Sequence, residues 1–104
     1  GRVAWVEVPA SIFKDRKVAL DLSEHILSFM RAIKGVQVVA LFKENLGDKG
    51  EVRFNLRSNG GVDVNKIASY FGGGGHRSAS GCTLVGRLAD IRRRVLSRIA
   101  TDLK

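Results

Sequence analysis

The sequence is short of the residues that staple or redirect a small protein. It has a single cysteine, Cys82, so no intrachain disulfide can form, and a reducing, cytoplasmic setting is the expectation. Cys82 lies among apolar and small residues and reads as a core or strand position. The one methionine is Met30, while the chain opens on Gly1, so the sequence reads as an excised fragment missing an N-terminal region. No apolar run approaches the roughly 18–20 residues that cross a bilayer, which removes a membrane-spanning helix and a membrane partner from consideration. No basic-plus-apolar leader precedes the first predicted strand, so nothing points to secretion. Acidic residues are scarce, 10 against 18 basic ones, and the net charge of +8 favours phosphate-bearing partners. Histidines number two, and no His/Asp/Glu cluster has metal-ligand spacing. No Ser–His–Asp set can be nominated from spacing either. The chain alone is therefore not expected to catalyse or to bind a metal or cofactor.

What is present suits one domain, residues 1–104. Val3–Val8 reads as a strand ended by Pro9, and residues 9–20 are ambiguous between loop and short helix. Asp21-Leu22-Ser23-Glu24 resembles a capping box, after which Leu22, Ile26, Phe29, Met30 and Ile33 form one stripe, with Phe29 and Met30 in the core. His25, near the start of that helix, reads as a surface or half-buried residue. Val36–Lys43 is a nearly continuous apolar run, the pattern of a central strand. After a turn at Leu46–Gly50, residues 51–57 alternate: Val52, Phe54 and Leu56 on one face, Arg53, Asn55 and Arg57 on the other. These two strands should pair as an antiparallel hairpin. Asp63 can cap a short helix striped by Val64, Ile67, Ala68 and Phe71, ended by Gly72. A loop, a strand over Ser80–Val85 and a last helix striped by Leu88, Ile91, Val95, Ile99 and Leu103 complete the chain. The order predicts an α+β fold, a single small domain with a mixed or largely antiparallel sheet and helices packed on it.

Residues 71–81, FGGGGHRSASG, are the anomaly. A glycine inside an element costs roughly 0.5–1 kcal/mol against alanine, and one glycine is enough to cap a helix. Three explanations stand: tight packing with positive φ, a hinge, or a concave nest of bare N–H groups for an anion. A P-loop does not fit because no lysine follows the glycines. A dinucleotide fingerprint needs strand–glycine–helix order, and here the order is helix–glycine–strand. His76, Arg77, Ser78 and Ser80 can donate to phosphate oxygens, and Ala79, Ser80 and Gly81 leave room for a bulky ligand. The Arg53, Asn55, Arg57 face and the arginines of the last helix read first as solvated surface.

The run from Leu56 to Ala68, with Arg57-Ser58-Asn59-Gly60-Gly61, and the run from Phe71 to Leu84, with Gly72-Gly73-Gly74-Gly75-His76 and Ala79-Ser80-Gly81, resemble the DHH-associated C-terminal domain of the DHH phosphoesterases. Within them the likeness is strongest to the nanoRNase/pAp phosphatase group, also called exopolyphosphatase-related, and it covers nearly the whole chain. The resemblance implies a two-domain hydrolase. An N-terminal DHH domain outside this chain would hold two metal ions, usually manganese, and activate the attacking water. The associated domain would close over the cleft and bind the substrate, a short RNA or a nucleotide such as 3′-phosphoadenosine 5′-phosphate. The implied partners are that substrate and the chain's own DHH domain, and a homodimer through the parent protein is compatible. By position, Arg57 and Ser58 match a substrate-contacting pair, Gly73, Gly74, Gly75 and His76 match a glycine–histidine loop, and Ala79, Ser80 and Gly81 match a small-residue wall. Arg77 falls at a variable position and is a candidate contact on its charge. Cyclic-dinucleotide phosphodiesterases and RecJ-like exonucleases share this core, as does a domain of alanyl-tRNA synthetases whose glycine motif lacks the histidine. A non-catalytic RNA-binding module is the remaining alternative.

Overall fold

The computed structural model describes residues 2–8, 16–44, 50–59 and 61–103. Residues 9–15 of the ambiguous segment 9–20, residues 46–49 of the turn at Leu46–Gly50, and Gly60 lie outside the described residues. The elements run β1 (Val3–Val8), α1 (Arg16–Arg31), β2 (Val38–Glu44), β3 (Glu51–Ser58), α2 (Val64–Tyr70), β4 (Gly74–His76), β5 (Ala79–Val85) and α3 (Leu88–Asp102). They build one five-stranded sheet of order β1-β2-β3-β5-β4. Only β1 and β2 are parallel; every other neighbouring pair is antiparallel. The expected α+β domain on a mixed sheet is what the chain adopts.

Strand alternation decides which side of the sheet each residue serves. Val38, Ala40 and Phe42 of β2, Val52, Phe54 and Leu56 of β3, and Cys82 of β5 face α2 and α3, which contribute Val64, Ile67, Ala68, Ile91, Val95 and Ile99. Phe42 and Phe54 are directly paired across the strands and fully buried, and each contributes about 1.5–3 kcal/mol by burial. Cys82 belongs to this core, and burial pushes its thiol pKa up. On the opposite side Val39 and Leu41 of β2 and Val8 of β1 meet Leu27 of α1, with Ile26 and Met30 alongside. The molecule is thus three layers: α1, the sheet, and α2 with α3.

α2 starts where its cap predicts. The Asp63 side chain accepts from the Lys66 backbone N–H at 3.2 Å, and the helix ends at Phe71 with Gly72 at φ +94°. The apolar stripe of α3 also faces the core as expected. Arg92 at its margin pairs with Glu7 and lies 5.1 Å over the Trp5 ring.

α1 departs from expectation in two ways. It is already helical at Arg16, the first described residue there, so Asp21 is an exposed mid-helix residue and not its cap. Lys17-Val18-Ala19-Leu20 contains no helix breaker, so nothing stops the helix from extending upstream. The buried seam is Ser23, Ile26, Leu27 and Met30, and Phe29 is 75% exposed rather than core. Two apolar stripes lie side by side on this helix. The one centred on Leu27 fits β1 and β2, which turns Leu22, Phe29 and Ile33 outward.

Candidate functional site

Among the described residues α1 packs its apolar seam on β1 and β2 and reaches β3 only at its margin, through Glu24, and no described helix lies over β5 and β4 on that side of the sheet. The residues aimed there are the off-phase ones: Lys43 of β2, Arg53, Asn55 and Arg57 of β3, and Ala79, Gly81 and Thr83 of β5. The ladder sets them in rows. Lys43 pairs with Arg53 and Arg53 with Thr83; Asn55 pairs with Gly81 and Gly81 with Gly74; Arg57 pairs with Ala79 and Ala79 with His76. Directly opposed residues share a face, so the register sets Arg57 and His76 in one cross-strand row on either side of Ala79. Two strand spacings put their backbones about 10 Å apart. The result is a shallow trough across β5 with Ala79 as its floor, Arg57 on one bank and His76 on the other, while the Arg53 and Asn55 side chains lie over Gly81.

The glycine-rich segment is a strand, not the loop expected from composition. β4 is a short exposed edge strand, joined to β5 through the two-residue turn Arg77-Ser78. Backbone contact explains its composition. A Cβ on Gly73 would lie 2.3 Å from the Gly81 carbonyl oxygen and 2.5 Å from Cys82 Cβ. On Gly75 (φ +147°) it would lie 2.6 Å from the Ala79 oxygen. Gly81 faces the same constraint from the other side, with Arg53 Nη2 at 2.5 Å and Asn55 Oδ1 at 2.9 Å of a would-be Cβ. Of the three packing, hinge and nest explanations, close packing accounts for Gly73 and Gly75. Gly74 has space around it, and β4, as the free edge, turns alternate N–H and C=O groups outward.

The electrostatics of the trough are cationic. Arg57, with its side chain only 17% exposed, donates through Nη2 to both Glu24 oxygens of α1, at 2.9 and 3.3 Å. Its Nη1 donates to the Leu56 carbonyl. Arg53 Nε donates to Asn55 Oδ1 at 3.3 Å, which lays both side chains along the strand. Burial, reinforced by the Arg53 charge, holds the Lys43 pKa below the ordinary lysine value, and Glu24 partly offsets this. Glu24 thus pairs with Arg57 and acts on Lys43. An anion that reaches Lys43, Arg53 and Arg57 gains from all three charges.

The remaining nominated residues lie elsewhere. Ser58 and Ser80 are buried on the α2–α3 side of the sheet. The Ser80 hydroxyl donates to the Val64 carbonyl at 2.6 Å and ties β5 to the start of α2. The Ser58 hydroxyl reaches toward the Arg77 carbonyl at 3.5 Å. Arg77 is exposed at the hairpin tip, where Nη2 donates to the Gly61 carbonyl at 3.3 Å. Strand register groups Arg57, Ala79 and His76 in one row and adds Lys43, Arg53 and Asn55 on the same face, while a Cβ on Gly74 would lie nearest Asn65 of α2. Period-two alternation had already put Arg53 and Asn55 beside Arg57; Lys43 needed the strand register. Among the described residues no three His, Cys, Asp or Glu side chains gather where a metal could sit.

Over 82 residues, 78% of the chain, the sequence is 37% identical to the bifunctional oligoribonuclease and PAP phosphatase NrnA of Thermus thermophilus, and it spans 24% of that protein's length. The fold matches an exopolyphosphatase-related protein of Bacteroides fragilis with a TM-score of 0.66 at 23% identity, over 97% of this chain and 28% of that one. It matches the C-Ala domain of Aquifex aeolicus alanyl-tRNA synthetase with a TM-score of 0.67 at 12% identity, over 97% of this chain and 89% of that one. A pGpG-specific phosphodiesterase from Vibrio, PggH, aligns over 64% of this chain and 24% of its own, with a TM-score of 0.54 at 18% identity. Residues 8–102 match the DHHA1 domain, and the chain belongs to that family.

Proposed function

We propose that this chain is the substrate-binding domain of a metal-dependent phosphoesterase that hydrolyses short RNA oligonucleotides or 3′-phosphoadenosine 5′-phosphate. The observation that carries this reading is the row Arg57–Ala79–His76, which offers a guanidinium and an imidazole to one ligand across a floor without bulky side chains. The activity in the name of the Thermus relative supports the substrate class. In this reading Arg57 exchanges Glu24 for a substrate phosphate, and His76 donates to the same phosphate or its neighbour. Lys43 and Arg53 supply the field that draws the anion in. Hydrolysis itself belongs to a preceding DHH domain with two manganese ions. This domain holds and orients the phosphate.

The test uses the parent protein loaded with manganese and offered short RNA, 3′-phosphoadenosine 5′-phosphate and a linear dinucleotide. Arg57→Ala and His76→Ala should each lower kcat/KM roughly 10- to 150-fold, the equivalent of losing one charged hydrogen bond worth about 1.5–3 kcal/mol. Neither should change the melting temperature much, because neither side chain belongs to the core. A folded, metal-loaded parent that leaves all three substrates intact overturns the reading. A non-catalytic RNA-binding module, suggested by the net charge of +8, would instead show only a steep loss of binding with salt.

A further inference from the structure

A hollow of about 320 Å³ lies on the α2–α3 side of the molecule, between the end of α2 and the second half of α3. It is lined by Tyr70, Phe71, Arg94, Ser97, Arg98 and Thr101. Tyr70 is 63% exposed, and Phe71 meets it edge-on, with ring planes at 86°. Arg98 lies 4.2 Å over one face of the Tyr70 ring, and Arg94 lies 5.6 Å from the centre of the Phe71 ring. The charges here differ from the rest of α3. Arg92 is paired with Glu7 and Arg93 with Asp90, but among the described residues Arg94 has no carboxylate partner. Arg98 pairs with Asp102 through Nε at 3.4 Å, and among the described residues that buried Nε makes no hydrogen bond.

We propose that this hollow is a second binding site, distinct from the Arg57–His76 trough, for one nucleotide unit of single-stranded RNA. The base stacks on the face of Tyr70 that Arg98 leaves free. Its phosphate lies between Arg94 and Arg98, within reach of the Ser97 and Thr101 hydroxyls. Stacking on an aromatic ring beside a basic groove is how single strands are held without sequence preference. An inorganic polyanion or an acidic protein surface would satisfy the arginines but would gain nothing from an exposed tyrosine ring held edge-on by Phe71. Because Tyr70 and Phe71 lead directly into Gly72 and β4, the same stretch of chain would serve both sites.

Tyr70 is the only tyrosine in the chain, so its ring protons give one assignable set of NMR signals. The experiment titrates a short oligoadenylate into the chain carrying Arg57→Ala, which disables the trough and separates this site from the proposed function. The Tyr70 ring signals should move upfield and saturate. Tyr70→Leu and Arg94→Gln should each weaken binding roughly ten-fold. Inorganic polyphosphate and polyglutamate should leave the ring signals in place. The proposal is overturned if the oligoadenylate fails to bind, or binds without moving the Tyr70 signals. It is equally overturned if polyphosphate or polyglutamate moves those signals as strongly, which would make the hollow a general anion or protein contact.

Discussion

Gly75→Ala is the most informative single change to the glycine-rich strand, and Gly74→Ala is its control. At position 75 the new methyl would sit 2.6 Å from the Ala79 oxygen and 2.7 Å from Ser80 Cα. Both are backbone atoms of β5, so no side chain can swing aside. The φ of +147° adds strain of about 1–3 kcal/mol for any residue with a Cβ. The cheapest relief is to detach β4 from β5, which gives up a few ladder hydrogen bonds at about 0.5–1.5 kcal/mol each and exposes no core side chain. Stability should therefore fall by only about 1–3 kcal/mol, at about 4–8 °C of melting temperature per kcal/mol. Ligand binding should fall much further, to the level of His76→Ala, because the imidazole leaves its row with Arg57. At position 74 the nearest atom to an added methyl is Asn65 Oδ1 at 3.7 Å, an ordinary contact, so both properties should hold. Thermal melts, amide exchange across residues 74–79 and nucleotide titrations read the three effects separately. If Gly74→Ala does as much damage as Gly75→Ala, or if Gly75→Ala keeps both its binding and its amide protection, the packing argument is wrong.

Two further predictions concern the charges in the trough. Glu24→Gln removes the carboxylate that occupies Arg57; Glu24 is 65% exposed, so the lost pair is worth only about 0.2–1 kcal/mol of stability, while phosphate affinity should rise several-fold, most at low salt. A fall in affinity in a fluorescence or calorimetric titration would show that Glu24 assists binding rather than competing with it. Lys43→Met should stabilise the fold at neutral pH. The folded-state pKa of Lys43 lies below its ordinary value of 10.5, so burying the charge is a penalty felt in full below the folded pKa and lifted as pH rises through it toward 10.5. The melting-temperature gain of the variant should shrink over that window, and a gain independent of pH would rule out desolvation as its cause.

The parts of the fold that could be read from sequence are those where a residue's own chemistry chooses its environment. Val52, Phe54 and Leu56 alternate with Arg53, Asn55 and Arg57, and that parity fixed the buried face of β3. Asp63 and Gly72 bracketed α2. What could not be read depended on partners far along the chain. α1 carries two adjacent apolar stripes, and only the shape of β1 and β2 selects Leu27 over Phe29. β4 has almost no side chains and hence no periodicity; its glycines answer to the backbone of Gly81, Ala79 and Ser80. The same parity rule also bears on the site. Adjacent strand residues point to opposite faces, so Arg57 and Ser58 cannot both offer side chains to one phosphate, nor can Ala79 and Ser80 line one wall. Ser58 was nominated by resemblance and Ser80 by both its hydroxyl and resemblance, and strand alternation separates them from the trough. Lys43 closes an apolar run and gave no sign of its role until register put it opposite Arg53.

The most direct measurement of the central claim is an NMR titration of the isotope-labelled chain with 3′-phosphoadenosine 5′-phosphate, following the His76 ring and the Arg57 guanidinium. The account predicts that both sets of signals shift and saturate on a single binding curve, because one ligand spans Ala79 and contacts both. A saturated complex in which either group keeps its free-state signals would contradict it.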